Sequence, residues 1–254
     1  MEEKFIEVNN LKVFTRIEGQ GSPFLILHGW GRGQISWIEI QDKLSKHFQV
    51  IILDLPGFGK SDLPPVGWSV QDYFQFISDF TQKMGINNFY LLGHSFGGSI
   101  AIKLAVESPE KIRKLILVDS AGRRPQKSFS KKILFPTFKI FKIFSFLPGY
   151  KILRKYFYKF ILRSTDYLKV TGVMKETFKK VIAEDLSYLW RKINLPVLII
   201  WGRKDKMTPL RDAYLMKANI KDSVLKIFDC GHCPHHEEPD LLIKTILNFI
   251  KNDD

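Results

Sequence analysis

The sequence predicts an α/β fold: a mostly parallel central sheet with helices on both faces, and a helical cap inserted between two strands. Three observations point there. Residues 24–27, 50–53, 89–92, 115–118 and 197–201 are short, continuous apolar runs, the pattern of strands buried on both faces. Segments of helical period alternate with them, so the strands are joined by helical crossovers and lie parallel. The alternation stops near residue 120 and resumes at Pro196, which marks an insertion. The expected organisation is a core domain from residues 1–120 and 196–254, with a cap from residues 121–195.

Taken in order, residues 3–8 and 11–18 read as two strands around Asn9-Asn10, because asparagine tolerates positive φ in a tight turn. The run 24–27 ends in a Gly-rich loop. A helix is expected over 35–47, with Ile35, Ile38, Ile40 and Leu44 as its apolar positions. The strand 50–53 stops before Pro56-Gly57. Ser69 caps a helix running to about Met84, and Asp72 at the third position completes a capping box. Strand 89–92, a helix over 99–107 and strand 115–118 follow. After the insertion come strand 197–201, a helix near 209–218, strand 224–228 and a last helix over 239–251.

The 254 residues suffice to bury a core without cross-links. Two cysteines, Cys230 and Cys233, make no disulfide framework. Met1-Glu2-Glu3-Lys4 carries no basic stretch leading into an apolar run, and no uncharged apolar segment reaches the roughly 18 residues of a membrane span. A cytoplasmic location is therefore expected. The net charge of +13 first suggests nucleic acid or an anionic surface. It is, however, local: twelve Lys and Arg and no acidic residue fall between Ser120 and Thr165, while the remainder of the chain is within one charge of neutral. No nucleic-acid-binding motif accompanies the charge, so nucleic acid is not an expected partner.

In parallel sheets of this kind ligands bind beyond the carboxyl ends of the strands, so the residues after each strand are the ones to read. Gly93-His94-Ser95-Phe96-Gly97 matches G-x-S-x-G between a strand and a helix. Small residues on either side of the serine let strand and helix pass closely and lift its hydroxyl clear of the backbone. His232, in the loop after the last strand, is the expected base. Asp205, four residues after Trp201, is the expected acid, with Asp119, directly after Val118, as its competitor. The chain order Ser, Asp, His suits a carboxylate that orients an imidazole, which in turn activates a hydroxyl. The backbone N–H groups of Trp30 and Phe96 are the expected oxyanion donors. His28, Gly29 and His94 are expected to line or support the pocket.

Together His28-Gly29-Trp30-Gly31, Asp54-Leu55-Pro56-Gly57-Phe58-Gly59-Lys60-Ser61, the turn around Ser95, Asp205 and Gly231-His232 resemble the α/β-hydrolase superfamily. Within it the chain is similar to small lidded serine carboxylesterases, including the pimeloyl-carrier-protein methyl ester esterases, which share the Trp after His-Gly and the Asp-Leu-Pro-Gly-Phe-Gly segment. The resemblance implies cofactor-free hydrolysis of a small-molecule carboxylic ester through an acyl-enzyme on Ser95. Serine at this position sets the chain apart from the haloalkane dehalogenases and epoxide hydrolases of the same fold, which carry aspartate there. Lactonases, C–C bond hydrolases and perhydrolases use the same residues and remain open, as does a non-catalytic ligand receptor on this fold. The insertion departs from that subgroup in being far more basic.

Two motifs point elsewhere and are set aside. Cys230-Gly231-His232-Cys233 has the spacing of a redox pair, but it lies after the last strand and not at the start of a helix following an early one. No second cysteine pair exists for a zinc site, so no metal is expected, and His235 and His236 are expected to support the His232 loop by hydrogen bonds. Gly59-Lys60-Ser61 resembles the end of a phosphate-binding loop, but position 54 is aspartate where that loop needs glycine. Asp54 is instead expected to anchor its own loop.

In the insertion, residues 150–163 have an apolar face that includes Tyr156 and an opposite face of Lys151, Arg154, Lys155 and Lys159. Phe138, Phe141 and Tyr156 are the expected pocket-covering residues. The basic face is expected to meet solvent, an acidic carrier protein or an anionic membrane surface.

Overall fold

The computed structural model of the protein describes residues 1–124 and 171–251. The described residues form an eight-stranded sheet in the order β1-β2-β4-β3-β5-β6-β7-β8. Its strands are β1 (Glu2–Val8), β2 (Leu11–Glu18), β3 (Pro23–Leu27), β4 (Gln49–Leu53), β5 (Phe89–His94), β6 (Ile112–Val118), β7 (Val197–Gly202) and β8 (Ser223–Phe228). β1 and β2 pair antiparallel through Asn9 and Asn10, both at positive φ, and β2 pairs antiparallel with β4. From β4 to β8 every pairing is parallel.

The helices of the described residues are α1 (Ile38–Leu44), α2 (Val70–Lys83), α3 (Phe96–Glu107), α4 (Gly172–Ala183), α5 (Leu210–Asn219), the single turn α6 (Pro234–Glu237) and α7 (Pro239–Lys251). Alternate strand residues point to opposite faces, and both faces are apolar. Leu25 and Leu27 join α2 and α3 in one core cluster, while Phe24 and Ile26 join α1 and α7 in the other. The capping box expected at Ser69 and Asp72 is formed.

Two helix expectations need correction. The segment expected as one helix over 35–47 is a 3-10 turn (Gln34–Trp37) followed by α1, which ends at Leu44. Helix α3 begins at Phe96 rather than Ser99. Gly97 and Gly98, poor helix formers in isolation, are helical here because only glycine fits: a Cβ on Gly97 would sit on the Leu27 carbonyl.

Of the segment 121–195, the stretch from residue 171 is described and lies against the core. The Trp68 N–H donates to Thr177 Oγ1 of α4 at 3.0 Å, Lys180 Nζ donates to the Gly67 carbonyl at 2.6 Å, and the Val70 N–H donates to Glu184 Oε2 at 3.2 Å. Phe138, Phe141, Tyr156 and nearly all of the basic segment lie outside the described residues. Arg123, at the start of that segment, pairs with Asp212 at 2.7 Å with both side chains largely buried. No helix among the described residues is long and apolar enough to cross a membrane.

Candidate active site

Ser95 stands between β5 and α3 at φ 50° and ψ −115°, a left-handed backbone that a non-glycine residue holds only under constraint. The constraint is visible. The Ser95 N–H donates to the Val118 carbonyl at 3.1 Å, and the Ser95 carbonyl accepts from Gly98 and Ala121 at 2.9 Å each. A Cβ on Gly93 would lie 2.6 Å from the Gly97 carbonyl oxygen, so the strand can turn into the helix only without a side chain there.

Three side chains from separate loops converge. His232 Nε2 lies 3.0 Å from Ser95 Oγ, and His232 Nδ1 lies 2.7 Å from Asp205 Oδ2. The Asp205 side chain has no solvent exposure and that of His232 has 12%. Asp205 rather than Asp119 therefore partners the histidine. Its carboxylate also accepts the Met207 and Thr208 N–H groups on Oδ1, at 2.6 and 3.1 Å, and the Thr208 hydroxyl on Oδ2 at 2.5 Å. Burial alone would push the Asp205 pKa up. The His232 hydrogen bond and charge, with the Thr208 and Met207 donors, outweigh it and hold the group below the usual carboxylate range. The arrangement is an ionised acid orienting an imidazole whose far nitrogen can take a proton from the serine hydroxyl.

Trp30 and Phe96 both line the cavity beside Ser95, their rings in edge contact at 5.4 Å. Phe96 is the first residue of α3, where N–H groups have no intrahelical acceptor. The cavity measures about 530 Å³. Its apolar wall includes Trp30, Phe96, Phe178 and Leu186, and its polar wall includes the Arg123–Asp212 pair and Thr208.

His28, Gly29 and His94 stand behind this wall. His28 Nε2 accepts the Leu55 N–H at 3.0 Å, so Nδ1 carries the proton and donates to the Gly29 carbonyl at 2.8 Å. His94 Nε2 donates to the His232 carbonyl at 2.8 Å, tying the serine turn to the histidine loop. Burial first, then the neighbouring His232, lowers its pKa to about 3, so His94 is neutral. Asp54 anchors its loop as expected, accepting the Gln34 N–H at 2.7 Å and the Lys60 N–H at 2.9 Å.

The expected hydrogen-bonding support from His235 is not what holds the loop. Both His235 ring nitrogens are buried without a partner, and the ring stacks on Trp37 at 4.2 Å and 11°. The energy comes from aromatic contact, because the site offers a flat indole and no acceptor. Cys230 and Cys233 are free thiols whose pKa values burial raises, to about 12 for Cys230. A redox pair needs the opposite shift. Among the described residues Asp119, Asp205 and His232 could offer metal-ligand atoms within 4.8 Å of one another, but the Asp205 and His232 atoms already bond each other.

Sequence reasoning missed Thr208 and Phe178. Thr208 had a local signal, since an aspartate often accepts backbone N–H groups two and three residues on. Phe178, which meets Trp30 edge-on at 5.0 Å, had none beyond its place on α4.

Residues 24–245 match the alpha/beta hydrolase family, and the chain belongs to it. It is 28% identical to the 2-hydroxy-6-oxo-6-phenylhexa-2,4-dienoate hydrolase of Burkholderia cepacia, over 98% of this chain and 96% of that protein. The structure of an esterase from Exiguobacterium antarcticum superposes with a TM-score of 0.77 at 25% identity, covering 98% of this chain and 100% of that one. The enol-lactonase from Burkholderia xenovorans shares the fold, with a TM-score of 0.74 at 20% identity over 97% of this chain and 99% of that one. The family and these relatives are hydrolases.

Proposed function

We propose that the protein is a serine hydrolase of carboxylic esters working through an acyl-enzyme on Ser95. One observation carries this reading: the chain of contacts from Asp205 through His232 to Ser95 Oγ, at 2.7 and 3.0 Å, beside a cavity of about 530 Å³. In this reading Ser95 attacks the ester carbonyl while His232 takes its proton. The Trp30 and Phe96 N–H groups hold the oxyanion, each worth roughly 2.7–4 kcal/mol in such a site. His232 then protonates the departing alcohol, and a water deprotonated by His232 releases the acid. The donor set needs no cofactor for these steps. Residues 121–195 form a helical cap in this reading, and its basic face meets solvent, an acidic carrier protein or an anionic membrane surface.

A second reading, cleavage of a carbon–carbon bond in an oxo-dienoate, is favoured by the whole-length likeness to the Burkholderia cepacia hydrolase. The test is a panel of p-nitrophenyl esters of graded acyl length, lactones and a 2-hydroxy-6-oxo-dienoate, run on wild type and Ser95→Ala with a fluorophosphonate label. The ester reading expects labelling at Ser95, ester turnover above the other classes, and loss of both in the variant. Turnover of the dienoate above every ester would replace it with the second reading. No labelling and no turnover would make the pocket a receptor site.

A further inference from the structure

We propose that Asp119 is a positioning residue, a protonated carboxylic acid that donates a hydrogen bond to the Asp205 carboxylate and holds it against His232. The proposal rests on the triad reading of Ser95, His232 and Asp205.

Asp119 follows β6 directly, at φ 41°, and is fully buried. Its Oδ1 accepts the N–H of Gly202, the last residue of β7, at 2.8 Å. Its Oδ2 is buried with no partner, and carboxylate oxygens of Asp119 and Asp205 lie within 4.8 Å of each other. Two carboxyl groups facing each other out of water cannot both be ionised, so one keeps its proton. Asp205 has three donors and the imidazole, whereas Asp119 has a single backbone donor. The proton therefore stays on Asp119 Oδ2, which turns a missing donor into a present one.

The groups facing Asp119 agree. Asp205 comes from the loop after β7, His232, Cys230 and Cys233 from the loop after β8, and Glu237 from α6. The thiols are neutral and the two carboxylates oppose a further negative charge. Burial first, then these carboxylates, raises the Asp119 pKa to about 9 against the single backbone donor.

The test uses Asp119→Asn, whose amide can donate to Asp205 and accept from Gly202 but cannot ionise, and Asp119→Ala, which can do neither. The infrared difference between wild type and Asp119→Asn at about pH 7 should contain the carbonyl band of a protonated carboxylic acid, lost as the pH passes about 9. With an aliphatic ester followed by acid release, kcat of Asp119→Ala should fall about tenfold at unchanged KM, the scale of one lost hydrogen bond, and Asp119→Asn should recover most of it. Wild-type kcat should decline above about pH 9, and that of Asp119→Asn should not. Absence of the acid band, or the same alkaline decline in Asp119→Asn, overturns the proposal. The infrared readout needs no turnover. An acid band in a protein whose Ser95 takes no fluorophosphonate would therefore count against the triad reading and leave the Asp119 proton in place.

Discussion

Replacing His235 with phenylalanine should make the protein markedly less sensitive to acid. His235 is 1% exposed, stacked on Trp37 and edge-on to His94 at 4.7 Å, with neither nitrogen bonded. Burial first, with neighbours that include the Arg32 charge, puts its pKa far below the usual 6.5. As pH falls below that value, the unfolded chain takes up a proton that the folded protein refuses. The stability is therefore complete above about pH 6.5 and is lost at about 1.4 kcal/mol per pH unit below it. Between about pH 7 and about pH 5 this amounts to roughly 2 kcal/mol. His94, held at about 3, adds a similar loss, so the pair removes about 4 kcal/mol from a total that is typically 5–15 kcal/mol. Phenylalanine keeps the stack but cannot titrate, so the part of the loss that comes from His94 and His235 should halve. Urea unfolding of wild type and His235→Phe at the two pH values measures it. A variant that loses as much stability as wild type would refute the reasoning. Because His94 holds the His232 carbonyl, wild-type activity should fail along the same acid limb.

Three further outcomes are expected. Asp205→Asn should lower kcat by about 10⁴ with the fold intact, since the wrong imidazole tautomer is then favoured; a loss under about tenfold would show that the acid is elsewhere. Gly29→Ala would place a Cβ 2.8 Å from His94 Nδ1 and 3.3 Å from Ser95 Cβ, so kcat should fall by about tenfold or more as the ring and the nucleophile shift, and an unchanged kcat would mean that the loop yields instead. If the basic segment docks an acidic carrier, kcat/KM for an acyl-carrier substrate should drop steeply as salt rises while that for a small neutral ester stays flat; equal responses would remove the docking role, and sedimentation with anionic vesicles tests the membrane alternative.

The sheet was legible because its strands are covered on both faces, so each reads as an unbroken apolar run. The helix boundaries were less so. The start of α3 at Phe96 depends on glycines being tolerated where the backbone of β3 passes, and no local pattern carries that. Ser95 was legible because its chemistry requires a local steric device, two small residues around a strained turn, which must be contiguous in the chain. Choosing between Asp205 and Asp119 was harder, because both follow adjacent strands.

By itself, then, the sequence determined the parallel sheet, the serine on a tight turn after β5 and the short list of bases and acids that could serve it. Tertiary structure alone decided that Asp205 reaches His232, that Asp119 is buried against it with one backbone donor, that Thr208 completes the carboxylate's shell, and that His235 stacks rather than bonds. The division has a physical cause. Strand burial and a tight turn are set by residues next to each other, whereas the charge state and partner of a buried group depend on loops from β6, β7 and β8 brought together only when the sheet forms.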